Sequence, residues 1–265
     1  MPLGLIGKKL GQTRVYDAAG VLVPVTVVLA GPNRVLQVRN NEADGYCAVQ
    51  LAFGPQKPQR LTLAALGHLV KHGVLDQPAA DKARDKGEKT PLTAVVKIRE
   101  FRNFSQEVKT GDLVGPTLFA VGDFIDAIGV TKGKGFEGVV KRHHFRGGDS
   151  THGSKGWHRR GGAIGQRLFP GTVMRGMKMP GHMGRVQRTV QNLEIVQVRE
   201  TDNLLLIKGA IPGANGDYVV IREAKKIPQT LARKRAADLA AAKAAIRAAQ
   251  LAKAKSSAKP SAAKK

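Results

Sequence analysis

The sequence predicts a mainly β protein with a barrel or sandwich body, a long irregular basic extension, one short helical insertion and an Ala/Lys-rich C-terminal tail. Three observations support this fold class. Short runs rich in β-branched residues are separated by turns bearing Gly, Asn and Pro, with little helix between them. Segment 131–191 contains 14 glycines and follows neither the helical nor the strand period. Segment 229–265 contains 15 alanines, and its helix propensity is high over 230–253.

The body is predicted to be built from short strands, each next to a turn signal. Pro24 interrupts the first run, which is typical of a strand start or an edge strand. The helical insertion is predicted over 61–71, where Leu61, Ala65 and Leu69 share one face. The polar, charged segment 76–91 is predicted to be a mobile surface loop. The predicted strands are 21–29, 35–39, 46–53, 94–101, 123–130, 193–198, 204–208 and 218–222.

The charge of the chain is concentrated in two segments. The 265 residues carry a formal net charge of +24, and 131–191 holds 13 Lys and Arg against Glu137 and Asp149 alone. Segment 229–265 holds 10 against Asp238. A solvated face normally interleaves both signs, so this excess indicates a polyanionic partner, either nucleic acid or an anionic membrane surface.

Other compositional features exclude several protein classes. No apolar run approaches the ~20 residues that span a bilayer, and the first residues lack the regions of a signal peptide. The single cysteine, Cys47, excludes an intrachain disulfide framework and multi-cysteine zinc modules. The sequence therefore predicts an intracellular protein in a reducing compartment. Of the two polyanionic partners, nucleic acid is preferred, and no membrane partner is predicted.

Segment 131–191 is the candidate binding region, and we expect it to become ordered on its partner. Its glycines permit close backbone approach, its Lys and Arg can neutralise phosphates, and Phe136, Phe145, Trp157 and Phe169 can stack on bases or anchor the chain. The candidate RNA-binding residues are Lys132, Lys134, Lys141, Arg142, Arg146, His152, Lys155, Trp157, Arg159, Arg160, Gln166, Arg167, Arg175, Lys178, His182, Arg185 and Arg188.

Motifs that would indicate enzymatic chemistry are weak. Residues 133–138 match G-x-G-x-x-G, but Gly147 and Gly148 follow too soon for a crossover helix. Five histidines lie in 131–191 at spacings that fit no metal-ligand signature, so no metal, cofactor or catalytic residue is predicted. The preferred hypothesis is a structural RNA-binding protein without catalysis. The alternatives are an RNA-modifying enzyme that uses the Gly-rich loop for a nucleotide, and an architectural DNA-binding protein.

Several ordered segments carry a family resemblance. They include 4–14 (GLIGKKLGQTR), 131–136 (TKGKGF), 145–148 (FRGG), 151–154 (THGS), 164–166 (IGQ), 178–184 (KMPGHMG) and 204–209 (LLLIKG). Together they resemble the universal large-subunit ribosomal protein three family, in its bacterial or organellar form, over about residues 1–224. The chain departs from the family at Gln12, where methionine is frequent, at 156–160 (GWHRR), and in the tail after about 228.

The resemblance implies a fold and a set of partners. The body would be a translation-protein-like β-barrel formed by 1–130 and 191–228, with 131–190 as an rRNA-penetrating extension and 229–265 as a basic tail. The protein would bind large-subunit (23S-type) rRNA near its 3′ end, nucleate early assembly, contact neighbouring ribosomal proteins and extend toward the peptidyl transferase centre. It would be a non-enzymatic component of cytoplasmic ribosomes. Gln166 would be converted to N5-methylglutamine by a transiently acting glutamine methyltransferase.

Overall fold

The fold is a closed six-stranded barrel with a second sheet packed against it. The computed structural model describes residues 3–16, 20–76 and 93–226. Nearly all of the predicted loop 76–91 and the whole predicted helical tail lie outside the described residues. The first compact unit ends at Glu223, and of the second unit only 224–226 are described.

The barrel contains the strands β1, β2, β7, β10, β11 and β12, and every neighbouring pair is antiparallel. Their order around the barrel is β1-β12-β7-β10-β11-β2. The prediction of a mainly β protein is confirmed, and the architecture is a barrel rather than a sandwich. The strand bounds are β1 Gly4–Tyr16, β2 Leu22–Leu29, β7 Phe124–Val130, β10 Gln187–Arg199, β11 Leu204–Lys208 and β12 Tyr218–Glu223.

The second sheet has the order β5-β4-β3-β6 and is covered by one helix. That helix, α2 (Leu63–Lys71), begins two residues later than predicted because Thr62 Oγ1 accepts a hydrogen bond from Ala65 N and caps it. A short helix α1 (Asn41–Asp44) links two strands of this sheet. The strands are β3 Asn33–Arg39, β4 Ala48–Gln56, β5 Ala94–Arg102 and β6 Leu113–Val114.

The second sheet has an apolar core on each of its faces. Leu36 and Ala52 pack with Leu66 and Leu69 of α2. Val35 and Leu51, on the other face, belong to the large cluster that includes Leu5 and the inner side chains of the barrel. Phe53 and Phe101 are buried there, whereas Phe124 is only half-buried. The second sheet is therefore packed between the barrel and α2.

Buried polar side chains fix the barrel at specific points. Asn33 Oδ1 accepts a hydrogen bond from Ile6 N, and its Nδ2 donates to Ala30 O, which ties the start of β3 to β1. Asp126 is fully buried on β7, where Oδ2 lies 3.3 Å from Arg222 Nη2 and Oδ1 accepts from Asn192 N at 3.3 Å. Three strands, β7, β10 and β12, therefore meet at one carboxylate.

The extension leaves the barrel from β7 and returns through β10. It contains a two-stranded ladder of β8 (Gly135–Glu137) and β9 (Gly181–Met183), and a five-residue helix α3 (Val139–His143). The extension thus has more regular structure than its composition predicts, because a helical turn forms directly after G-x-G-x-x-G and ends at His144 in the left-handed region. This helix is far too short for a crossover.

Candidate nucleic-acid interface

The base of the extension is held by a double connection between its two ends. Thr131 N donates to Val186 O at 2.9 Å, and Arg185 N donates to Thr131 O at 3.1 Å. The Thr131 hydroxyl lies 3.2 Å from Val186 O and 3.3 Å from Val186 N. These contacts continue the β7–β10 ladder beyond Val130, so the extension starts as a prolongation of the barrel wall.

Gly184 makes the two ends of the extension meet closely. Its φ is +76°, and a Cβ at this position would overlap Lys132 O and lie 3.1 Å from Lys134 N. Glycine is the residue that tolerates both conditions. Lys134 N then donates to Met183 O at 2.9 Å, and the β8–β9 ladder begins at the next residue.

The middle of the extension has its own small packing centre. Arg142 Nη1 donates to Met179 O at 2.7 Å, and His143 Nε2 lies 3.0 Å from the same oxygen. Val139 is buried, and a Cβ at Gly161 would lie 3.2 Å from its methyl carbon. Helix α3 thereby attaches both to the returning strand and to the outer loop.

The outer part of the extension folds back on itself through glycines. Gly148 N donates to His158 O at 3.2 Å, and His158 Nδ1 lies 3.0 Å from Asp149 O. Beyond this contact, apolar side chains stand in solvent, including Leu168, Phe169 and Met174. The outer loop therefore presents cations and apolar groups together on a surface that the protein itself does not cover.

Sixteen of the seventeen predicted RNA-binding residues are exposed, and Arg142 alone is half-buried. Arg142 contributes at least one guanidinium N–H to Met179 O, so part of its role is to brace the extension. The exposed residues are Lys132, Lys134, Lys141, Arg146, His152, Lys155, Trp157, Arg159, Arg160, Gln166, Arg167, Arg175, Lys178, His182, Arg185 and Arg188.

The two acidic residues of 131–191 each lie next to a cation. Glu137 pairs with Lys141 one helical turn away, and Asp149 lies 4.0 Å from Arg146 in an exposed pair. An exposed pair such as Asp149–Arg146 is worth at most about 1 kcal/mol, so a phosphate can replace the Asp149 carboxylate. The positive surface of the extension is consequently available to a polyanion.

The structure adds cations from the body that sequence analysis did not single out. A cleft of about 540 Å³ at the base of the extension is lined by Lys132, Arg185, Lys97 and Tyr218. Lys97 Nζ lies 5.8 Å from the centre of the Tyr218 ring. Lys97 and Arg99 lie two residues apart on β5, so their side chains share one face of the strand, and both are exposed. This spacing is visible in the sequence once the segment is recognised as a strand.

Lys9 is a cation whose ammonium is bound by carbonyl oxygens of the protein itself. Its side chain is buried, and Nζ donates to Ile211 O at 2.7 Å and Gly213 O at 3.1 Å. Burial, followed by the like charge of Lys132, lowers the pKa of Lys9, and Asp217 acts in the opposite direction. Lys9 thus positions the turn before β12, beside the base of the extension.

Among residues 3–16, 20–76 and 93–226, no three His, Cys, Asp or Glu side chains are grouped as a metal site requires. No helix in the same part of the chain is long and apolar enough to cross a bilayer.

Comparison with known proteins identifies the family. The family model for Ribosomal protein L3 matches residues 94–204. The protein named large ribosomal subunit protein uL3 from Nitrosococcus oceani is 45% identical over 229 residues, covering 85% of this chain and 98% of its own. Its namesake from Deinococcus radiodurans is 46% identical over 225 residues, covering 84% and 95%, and that from Pseudomonas fluorescens is 44% identical over 226, covering 85% and 99%. With such similarity over nearly the whole length of these relatives, the chain belongs to the ribosomal protein L3 family.

Proposed function

We propose that this chain is a structural component of the large ribosomal subunit that binds rRNA through residues 131–190. The observation that carries the proposal is the exposure of sixteen candidate side chains on one glycine-rich extension fixed to a rigid barrel. Exposed Lys and Arg supply phosphate contacts, and exposed aromatic groups supply stacking. The names of the relatives support placing this RNA in the large ribosomal subunit, and we propose that the chain acts in cytoplasmic ribosomes.

The finer parts of the proposal concern arrangement and partners. The barrel body, 1–130 with 191–228, would stay at the surface of the particle, while 131–190 would enter folded rRNA toward the peptidyl transferase centre. Binding near the 3′ end of 23S-type rRNA would nucleate early assembly, and neighbouring ribosomal proteins would contact the body. The charge excess of 229–265 would add non-specific attraction to RNA. The chain would act without catalysis or cofactor.

A salt wash of ribosomal particles tests the proposal. We expect the chain to co-sediment with large subunits in stoichiometric amount and to remain there through high salt, because an extension enclosed by RNA is not released by screening alone. A version whose residues 131–190 are replaced by a Gly/Ser linker is the control and should be lost at low salt. Loss of the unaltered chain at that same salt would contradict the proposal. Substoichiometric association would favour the enzyme hypothesis, and equal binding to duplex DNA would favour the DNA hypothesis.

Gln166 is proposed as a site of side-chain methylation by a glutamine methyltransferase. Its side chain is exposed in the outer loop, so an enzyme can reach the amide before RNA covers it. Methylation of the amide nitrogen removes one donor, keeps the carbonyl acceptor and leaves the charge unchanged. Peptide mass spectra of ribosome-derived protein should show one added methyl at Gln166 and none at Gln187, an exposed glutamine of β10. An unmodified Gln166 peptide would contradict the assignment.

A further inference from the structure

A cleft in the outer part of the extension combines flat apolar walls with positive charge. Its volume is about 470 Å³, within the range of about 300–1,000 Å³ that small-molecule sites occupy. Aromatic lining comes from Phe145 and Trp157, and guanidinium lining comes from Arg146 and Arg160. The rest of the lining is glycine: Gly147, Gly148, Gly161 and Gly162. Backbone and aromatic rings therefore form most of the surface.

Glycine is required on one wall of this cleft. A Cβ at Gly147, where φ is +79°, would overlap His158 O, and a Cβ at Gly148 would lie 3.0 Å from Trp157 O. The two arms of the loop consequently touch through their backbones, and Gly148 N donates to His158 O. This contact fixes the position of Trp157 relative to Gly147 and Gly148, and it leaves no side chain there to fill the cleft.

Trp157 is oriented by a cation but is not covered by the protein. The Arg160 guanidinium carbon lies 4.5 Å from the centre of the indole ring, and Arg160 N donates to Trp157 O at 3.3 Å. A guanidinium at this distance occupies one face of a ring. The Trp157 side chain nevertheless remains 56% exposed. An indole held in a fixed orientation with free surface is a platform for another flat group.

The charge around the cleft selects the class of that flat group. The Arg146 side chain is 94% exposed, and its contact with Asp149 is long at 4.0 Å. Arg159, two residues after Trp157, is also exposed. A nucleotide combines a flat base with a phosphate, and so matches both the indole and the guanidinium groups. An apolar peptide would use the ring but would leave these cations without partners.

We propose that this cleft binds one unstacked nucleobase of single-stranded RNA, stacked on Trp157, with its flanking phosphates neutralised by Arg146 and Arg159. The inference rests on the proposed function, because it assigns one specific contact within the RNA-binding extension. It also gives a role to 156–160, the stretch in which the sequence departs from the pattern that it otherwise resembles.

Trp157 is the only tryptophan of the chain, so its fluorescence reports on this cleft alone. Full-length protein is titrated with a labelled single-stranded RNA oligonucleotide and with an abasic oligonucleotide of equal length, and binding is followed by anisotropy of the label. We expect both to bind, and only the base-containing RNA to quench Trp157 at saturation. Equal quenching by the abasic strand would reduce the site to a phosphate contact and overturn the proposal. Quenching by an apolar peptide that RNA does not displace would also overturn it.

Matched variants separate stacking from charge. Trp157→Ala should weaken binding of the labelled RNA about 5- to 150-fold, which corresponds to the ~1–3 kcal/mol of one stacked base. Its salt dependence should stay as in the unaltered chain, because no phosphate contact is lost. Arg146→Gln should instead reduce the salt dependence. Val121→Ala, which removes an apolar side chain of the body that is 62% exposed, should leave affinity within about twofold.

The outcomes also distinguish this inference from the function on which it rests. If the chain co-sediments with large subunits through high salt but Trp157→Ala and Val121→Ala bind RNA alike, the nucleobase site is wrong and the proposed function stands. If the unaltered chain is washed from the particles, the proposed function fails, whatever the fluorescence shows. Loss of affinity in Trp157→Ala alone, with base-dependent quenching, supports both.

Discussion

Cells whose copy of this chain lacks residues 145–180 are expected to lose nearly all mature large subunits, whereas cells lacking 229–265 should assemble them at close to normal yield. Net charge alone predicts the reverse order, because 145–180 carries +6 and the tail carries +9. We expect the shape of the extension to matter more than its charge. Its glycine contacts and its exposed aromatic groups set a path through folded RNA that non-specific attraction cannot replace.

The structure shows that the two ends left by this deletion can be joined by a short linker. Glu137 pairs with Gly181 in the β8–β9 ladder, and Arg142 and His143 both contact Met179 O, so the two cut ends lie close together and a short Gly/Ser linker can join them. The control replaces 145–180 by a scrambled sequence of the same composition. Yield is read from sucrose gradients and peptide-bond activity from the isolated particles. Rescue by the scrambled segment, or a worse defect from the tail deletion, would contradict the prediction.

Replacing Asp126 by Ala is expected to reduce the free energy of unfolding by about 3 kcal/mol. The carboxylate is fully buried, and it accepts from Asn192 N and pairs with Arg222, whose side chain is 25% exposed. Its removal leaves a buried guanidinium edge and a buried N–H without these partners, and breaking a buried pair costs more than the pair contributes. Urea denaturation of the free full-length chain measures the loss.

A surface ion pair of the same barrel provides the control. Glu194 and Lys208 lie 3.0 Å apart on β10 and β11 with both side chains about half exposed, so Glu194→Ala should cost less than about 1 kcal/mol. Asp126→Asn keeps an acceptor for Asn192 N and should fall between the two. If Asp126→Ala fails to fold, Asp126→Asn still provides the comparison. An Asp126→Asn cost no larger than that of Glu194→Ala would show that the buried carboxylate does not secure the barrel.

The strands buried on one face could be predicted from the sequence, because their pattern is local. The prediction of 204–208 matches β11 in full, and that of 218–222 matches β12 to within one residue. The strand β1 was not predicted from the sequence, although it is 13 residues long. Residues 4–7 are buried on both faces between the barrel and the second sheet, so they do not alternate, and Gly4, Gly7 and Gly11 resemble turn signals. Glycine is needed here for close packing, since a Cβ on Gly7 would lie 2.6 Å from a Val28 methyl carbon.

For the candidate site, the sequence was likewise sufficient for what depends on one segment and insufficient for what depends on contacts between distant segments. Composition was sufficient to select the extension, because charge and glycine content are properties of the segment itself. The sequence does not show which cations serve the protein internally. Lys9 lies in a basic run, yet its ammonium binds the carbonyls of Ile211 and Gly213, about 200 positions away. Lys97 was missed for the opposite reason, since only the packing of β5 beside β12 brings it to the base of the extension.

The attachment of the extension to β7 and β10 has a mechanical consequence. β7 runs into the extension, β10 runs out of it, and the two strands pair antiparallel with each other. Each is flanked on its other side by a further barrel strand, β12 or β11. Antiparallel hydrogen bonds run perpendicular to the strands, so a pull on the extension loads whole ladders in shear rather than opening them one bond at a time. Because the barrel is closed, neither strand has a free edge at which peeling can begin. The barrel is thus an anchor whose resistance to withdrawal comes from many bonds that must yield together.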